Sequence, residues 1–197
     1  MNRAAALACL YAVVGLFFGG LSIFLRGSVL THPDPWLSLS WGAAHGYSAL
    51  LGLTLGLAAV GATLILVRRT AWARLLCDEL RPLCDGLSAP SILALAVFSS
   101  FGEELLFRGV LQNATNVWIQ ALVFGLAHQL PGKARWTWAL WATIMGLLFG
   151  LLYQLTGSLV GPLVAHATIN GMNLRFLQTQ SQPPADRTAG GILGQRI

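Results

Sequence analysis

Apolar residues in this chain fall in long, nearly unbroken runs, unlike the alternating or one-faced patterns of soluble folds. Six runs cover residues 4–25, 43–67, 90–113, 115–130, 136–155 and 158–177. A helix needs about 20 mostly apolar residues to cross a hydrocarbon core of about 30 Å, and most of these runs approach that length. The fourth run is short, and the break at 113–115 that separates it from the third is weak. The pattern predicts an all-α fold: a polytopic transmembrane helix bundle of about six spans. The first run exceeds the usual 7–15 residue signal-peptide core and lacks a small-residue cleavage site before Arg26, so it reads as a retained anchor.

The stretches between the runs fit that picture. Trp36 and Trp41 in the first connection suit a membrane–water interface. Residues 68–87 mix Trp72, Leu75, Leu76 and Leu80 with Arg74, Asp78, Glu79 and Arg81, broken by Pro82. That segment reads as an amphipathic stretch lying on the membrane surface. Gly52 and Gly56, four apart in the second run, allow close helix packing between chains or within the bundle.

Composition removes the competing classes. The chain is 55% hydrophobic and 10% charged, whereas a soluble domain carries roughly 25% charged residues. A soluble enzyme and a disordered chain are both excluded. The 12 basic residues set the orientation. With an even number of spans, Arg3, Arg68, Arg69, Arg74, Arg81, Lys133, Arg135, Arg175, Arg187 and Arg196 share one side, against Arg26 alone on the other. The positive-inside bias makes both the N- and C-termini cytoplasmic. The net charge of +5 is this bias, and no nucleic acid partner is needed to explain it. Cys77 and Cys84 fall on the cytoplasmic side and Cys9 within a span, so no structural disulfide is expected.

Five of the seven acidic residues, Asp34, Asp78, Glu79, Asp85 and Asp186, lie in connections or the tail. Glu103 and Glu104 stand together inside the third run, followed by Arg108. A charge at membrane depth costs roughly 2.5–3.5 kcal/mol. Glu104 and Arg108 are four apart and share a helical face, while Glu103 is turned roughly 100° away. The fourth run carries Phe124 and His128, and the sixth carries His166 and, four residues on, Asn170. Carboxylates, two imidazoles and a carboxamide on three runs meet only in a bundle interior, because lipid rejects them. Several chemistries fit this set. It reads as a buried ion network, as a proton path, or as a hydrolytic site in which a carboxylate activates water and an imidazole and an amide stabilise an oxyanion. Glu103, His128 and His166 could equally hold a zinc ion.

The order Glu103-Glu104-x-x-x-Arg108, Phe124-x-x-x-His128, His166-x-x-x-Asn170 resembles the CAAX-processing and bacteriocin-processing (CPBP or ABI) family of intramembrane proteases, which includes the type II CAAX endopeptidases. The resemblance covers roughly residues 90–175. It implies an intramembrane endopeptidase acting on a membrane-associated or lipid-anchored protein or peptide. Glu103 would then activate water with His128, and His166 and Asn170 would stabilise the oxyanion. Glu104, Arg108 and Phe124 would be supporting residues. A metal-free, glutamate-type mechanism is the favoured reading, with zinc as the other. A non-catalytic immunity factor or scaffold of the same fold is the alternative. On this reading the chain divides into N-terminal spans with the amphipathic segment (1–89), catalytic intramembrane helices (90–178) and a disordered tail (179–197). The expected partners are the lipid bilayer and a membrane protein or peptide substrate. The expected location is a bacterial inner membrane.

Overall fold

The computed structural model describes residues 3–129 and 131–181. Seven α-helices follow one another: Arg3–Arg26 (α1), Trp41–Arg69 (α2), Ala71–Leu80 (α3), Ala89–Glu104 (α4), Val117–Ala127 (α5), Arg135–Thr156 (α6) and Val160–Ser181 (α7). A 3-10 turn, Arg81–Cys84, follows α3, and a π-helical stretch, Leu105–Gln112, continues α4. Among the described residues the one β feature is an isolated antiparallel bridge between Thr31 and Ser158. The protein is an integral membrane helix bundle.

Among the described residues four helices are long and apolar enough to cross a membrane: α1, α2, α4 with its π continuation, and α6. Helix α5 has 11 residues and is only about 16 Å long at 1.5 Å per residue. The expected end of its run at Leu130 lies outside the described residues. Helix α7 has 22 residues but carries His166, Asn170, Asn173 and Arg175. It is affordable in a membrane because it packs against α2, α4 and α6. It also runs on through Thr179 and Gln180 to Ser181, into the tail expected to be disordered; residues 182–197 lie outside the described part.

Small residues face inward and large ones outward. Helix α1 buries Ala4, Ala8, Gly15, Gly19 and Ser22 while Leu16, Phe17 and Phe24 stay exposed. Packing by small residues is what membrane helices use when lipid is as apolar as leucine. Gly52 and Gly56 of α2 meet Gly161, Ala165 and Thr168 of α7 so closely that any side chain would collide. That pair of glycines therefore serves packing within the bundle.

The connections alternate between two ends. At one end Ser48 joins Thr156, Ser158 and Gly161 through hydrogen bonds of 2.9–3.0 Å, and Tyr153 donates to the Thr31 carbonyl at 2.9 Å. Arg26 lies at this end and is half-buried, its guanidinium donating to Ser22 Oγ and the Gly109 carbonyl, each at 2.7 Å. Asn113 donates to the Arg108 and Gly109 carbonyls at 2.6 and 3.1 Å. These donors satisfy carbonyls that the wider π turn leaves free. At the basic end the Glu79 carboxylate accepts from the backbone N–H groups of Lys133 and Ala134 at 2.9 and 3.1 Å, holding α3 to the start of α6. A carboxylate there also meets the positive end of the helix dipole.

Candidate active site

The acidic and imidazole residues singled out in the sequence converge at the junction of α4 with its π stretch, facing α5, α6 and α7. Glu104 and Arg108 are fully buried, and Arg108 Nη1 lies 2.9 Å from Glu104 Oε1. Arg108 Nη2 donates to the Gly146 carbonyl at 2.9 Å, which also accepts from Gln120 at 2.9 Å. Gly146 has no side chain to screen that carbonyl, so two donors reach it from neighbouring elements. The guanidinium is sandwiched by rings, its carbon 4.6 Å from the Phe124 centroid and 5.2 Å from that of Phe149. The buried arginine is thereby satisfied by an anion, a carbonyl and two π faces.

Each histidine is fixed through Nδ1, which settles what Nε2 can do. His128 Nδ1 lies 2.7 Å from the Phe124 carbonyl. A carbonyl only accepts, so Nδ1 carries the proton and Nε2 of neutral His128 is a bare lone pair. His166 Nδ1 lies 2.8 Å from Glu104 Oε1, the same oxygen that takes Arg108, so His166 donates there as well. Both Nε2 atoms then face Glu103 Oε2, at 3.3 Å from His128 and 3.8 Å from His166. With neutral rings all three atoms are acceptors, and Oε2 has no hydrogen-bond partner here.

Glu103 and His128 also line a cavity of about 570 Å³ that residues of α3 and the segment after it line as well. Its walls are mostly apolar and include Leu76, Leu80 and Leu177. Asn170 lines it too, one turn along α7 from His166, and donates to Ser99 Oγ at 3.0 Å. His166 stands behind this wall, 5% exposed, with its ring against Phe149 at 5.3 Å. Phe124 backs the site, its ring 4.3 Å from that of His128.

The structure thus unites Glu103, Glu104, Arg108, Phe124, His128 and His166, and sets Asn170 beside them on the cavity wall. The sequence did not point to Tyr11, Ser99, Gln120 or Gly146. Polar side chains within apolar runs were a usable signal for Gln120 and Ser99, whereas nothing distinguishes Gly146 among the 22 glycines.

Zinc was the other reading of Glu103, His128 and His166. Among the described residues no group of three or more His, Cys, Asp or Glu side chains is placed to hold a metal ion. Glu103 Oε2 lies 3.3 and 3.8 Å from the Nε2 atoms of His128 and His166.

The site is a carboxylate–imidazole cluster on the wall of a cavity in an integral membrane helix bundle. Residues 85–172, which run from just before α4 to just past Asn170, match the family model described as Type II CAAX prenyl endopeptidase Rce1-like. The match supports a CAAX-type intramembrane protease fold in that part of the chain. The chain is also 36% identical over 85 residues to the uncharacterized protein YpbD of Bacillus subtilis (strain 168), covering 43% of this chain and 44% of YpbD. It spans less than half the length of that curated relative. No solved structure matches.

Proposed function

We propose that the protein is an intramembrane endopeptidase of the bacterial plasma membrane that hydrolyses a peptide bond in a membrane-associated or lipid-anchored protein or peptide. The observation that carries this reading is Glu103 facing two imidazole Nε2 edges on the wall of an apolar cavity. A water molecule beside Glu103 and His128 gives a proton to the Glu103 carboxylate as its oxygen bonds to the scissile carbonyl carbon. The oxyanion so formed takes a hydrogen bond from Asn170 Nδ2. His166 joins it as a donor only with a proton on Nε2, because its Nδ1 proton is committed to Glu104. The C–N bond then breaks, and the departing amine takes the proton held by the Glu103–His128 pair. Glu104 and Arg108 keep His166 in place throughout.

The test is cleavage of single-span and lipid-anchored peptides by the purified chain in vesicles, with products identified by mass. Glu103→Gln and His128→Ala should abolish cleavage while the melting temperature stays near wild type. Full cleavage by Glu103→Gln would remove the proposed base. A chain that cleaves nothing yet performs its cellular role as Glu103→Gln would belong to the alternative class, a non-catalytic immunity factor or scaffold.

A further inference from the structure

The segment that matches the protease family begins at residue 85, but one side chain at Glu103 comes from the first helix. Helices α1 and α4 approach closely because glycines face each other. A Cβ on Gly102 would stand 2.7 Å from the Tyr11 carbonyl oxygen and 3.4 Å from its ring, and one on Gly15 would meet Phe101. This contact lays Tyr11 over the residue next to Glu103. The Tyr11 and Glu103 side chains both line the cavity, which leaves the Tyr11 hydroxyl as the polar group that α1 brings to the Glu103 side of it. Glu103 Oε2 faces the two imidazoles and accepts no well-formed hydrogen bond from them. Without a donor on its α1 side, the carboxylate would be free to rotate about its terminal torsion, which is soft.

We infer that Tyr11 is a positioning residue: its hydroxyl donates to the Glu103 carboxylate and holds it with Oε2 between His128 and His166. This rests on the proposed role of Glu103 as base. It makes α1 part of the catalytic unit, so that the 85–172 segment is incomplete without it.

The test uses two readouts on the full chain, one of which needs no activity. The chain has three glutamates, Glu79, Glu103 and Glu104, and three tyrosines. With 13C-carboxyl glutamate incorporated, the infrared difference between wild type and Glu103→Gln isolates the Glu103 carboxyl band. Tyr11→Phe keeps the ring and deletes only the hydroxyl, so packing is preserved. It should shift that band and lower kcat by about ten- to a hundredfold, the worth of a hydrogen bond to a charged group, with KM and melting temperature unchanged. Tyr47→Phe, on the exposed face of α2, should change neither. An unmoved Glu103 band in Tyr11→Phe overturns the inference whether or not the protein cleaves peptides. A shifted band with wild-type kcat overturns it too, because the contact would then position nothing that matters. A shifted band in a protein with no peptidase activity would leave the Tyr11–Glu103 contact standing and remove the protease reading instead.

Discussion

Glu104 accepts the Nδ1 proton of His166 at 2.8 Å, while its neighbour Glu103 faces the other nitrogen of that ring at 3.8 Å. Adjacent residues of a helix point roughly 100° apart, and the α7 imidazole is seated in the angle between them. One carboxylate is committed to structure by Arg108 and His166, and the other is left at the cavity. The Glu-Glu pair is therefore a division of labour between identical side chains.

The commitment of Glu104 predicts a particular pattern of stability. Removing one partner of a buried ion pair leaves the other unpaired, at about 3–5 kcal/mol. Glu104→Ala should therefore be strongly destabilised in detergent, measured by chemical or thermal unfolding. The double variant Glu104→Leu, Arg108→Met should regain most of that stability, because two apolar side chains replace two charges. It should still fail to cleave, since His166 has lost the acceptor that fixes its ring. Wild-type cleavage by the double variant would show that His166 needs no such anchor.

Packing predicts a contrast between two glycines of the same chain. Gly52 meets the Gly161 backbone directly, whereas a Cβ on Gly20 of α1 has nothing within 4 Å. Gly52→Leu should cost at least the roughly 1–3 kcal/mol typical of overpacking, and should lower yield and melting temperature together. Gly20→Leu should be close to neutral. Equal behaviour of the two would mean that α2 and α7 are not in contact as described.

Most residues of the candidate site were legible in the sequence because a membrane makes charge conspicuous. Glu103, Glu104 and Arg108 could not be assigned to orientation or to solvent, and His128, His166 and Asn170 shared their setting. The ends of the helices were less legible. An apolar run does not reveal where a helix stops, and α5 is shorter than its run because Asn116 caps it late and Ala127 ends it early. The polar residues of α7 are diluted by leucine, alanine and glycine in the sequence, and its packing against α2, α4 and α6 is what shields them. Tyr11 was invisible for another reason. A tyrosine in an apolar run looks like any aromatic residue until α1 is laid against α4.

The surface segment predicts a pH dependence outside the membrane. Cys84 ends the 3-10 turn fully buried, and burial followed by the charge of Asp85 pushes its thiol up from 9.0 to about 11. Burial and Asp78 raise Cys77 in the same direction. The folded chain thus keeps the Cys84 proton at pH values where the unfolded chain has lost it. The associated stability is complete below about pH 9 and is lost as pH rises toward 11, with a slope of at most about 1.4 kcal/mol per pH unit. Melting temperatures measured from pH 8 upward should fall along this arm. Cys84→Ala should flatten it, and an unchanged alkaline arm in that variant would assign the loss to other groups.

Metal removal distinguishes the two mechanisms that the residues themselves admit. A zinc ion held by Glu103, His128 and His166 would make Glu103 a ligand, whereas the proposed mechanism uses its carboxylate as the base. On that mechanism extended dialysis against a chelator should leave cleavage unchanged, measured beside a zinc peptidase treated in parallel. Activity lost on chelation and restored by zinc would reassign Glu103 from base to ligand. The water would then be activated by the metal, and His128→Ala would be expected to lower zinc content together with rate. If the metal-free reading holds, His128→Ala loses rate alone, and its metal content matches that of wild type.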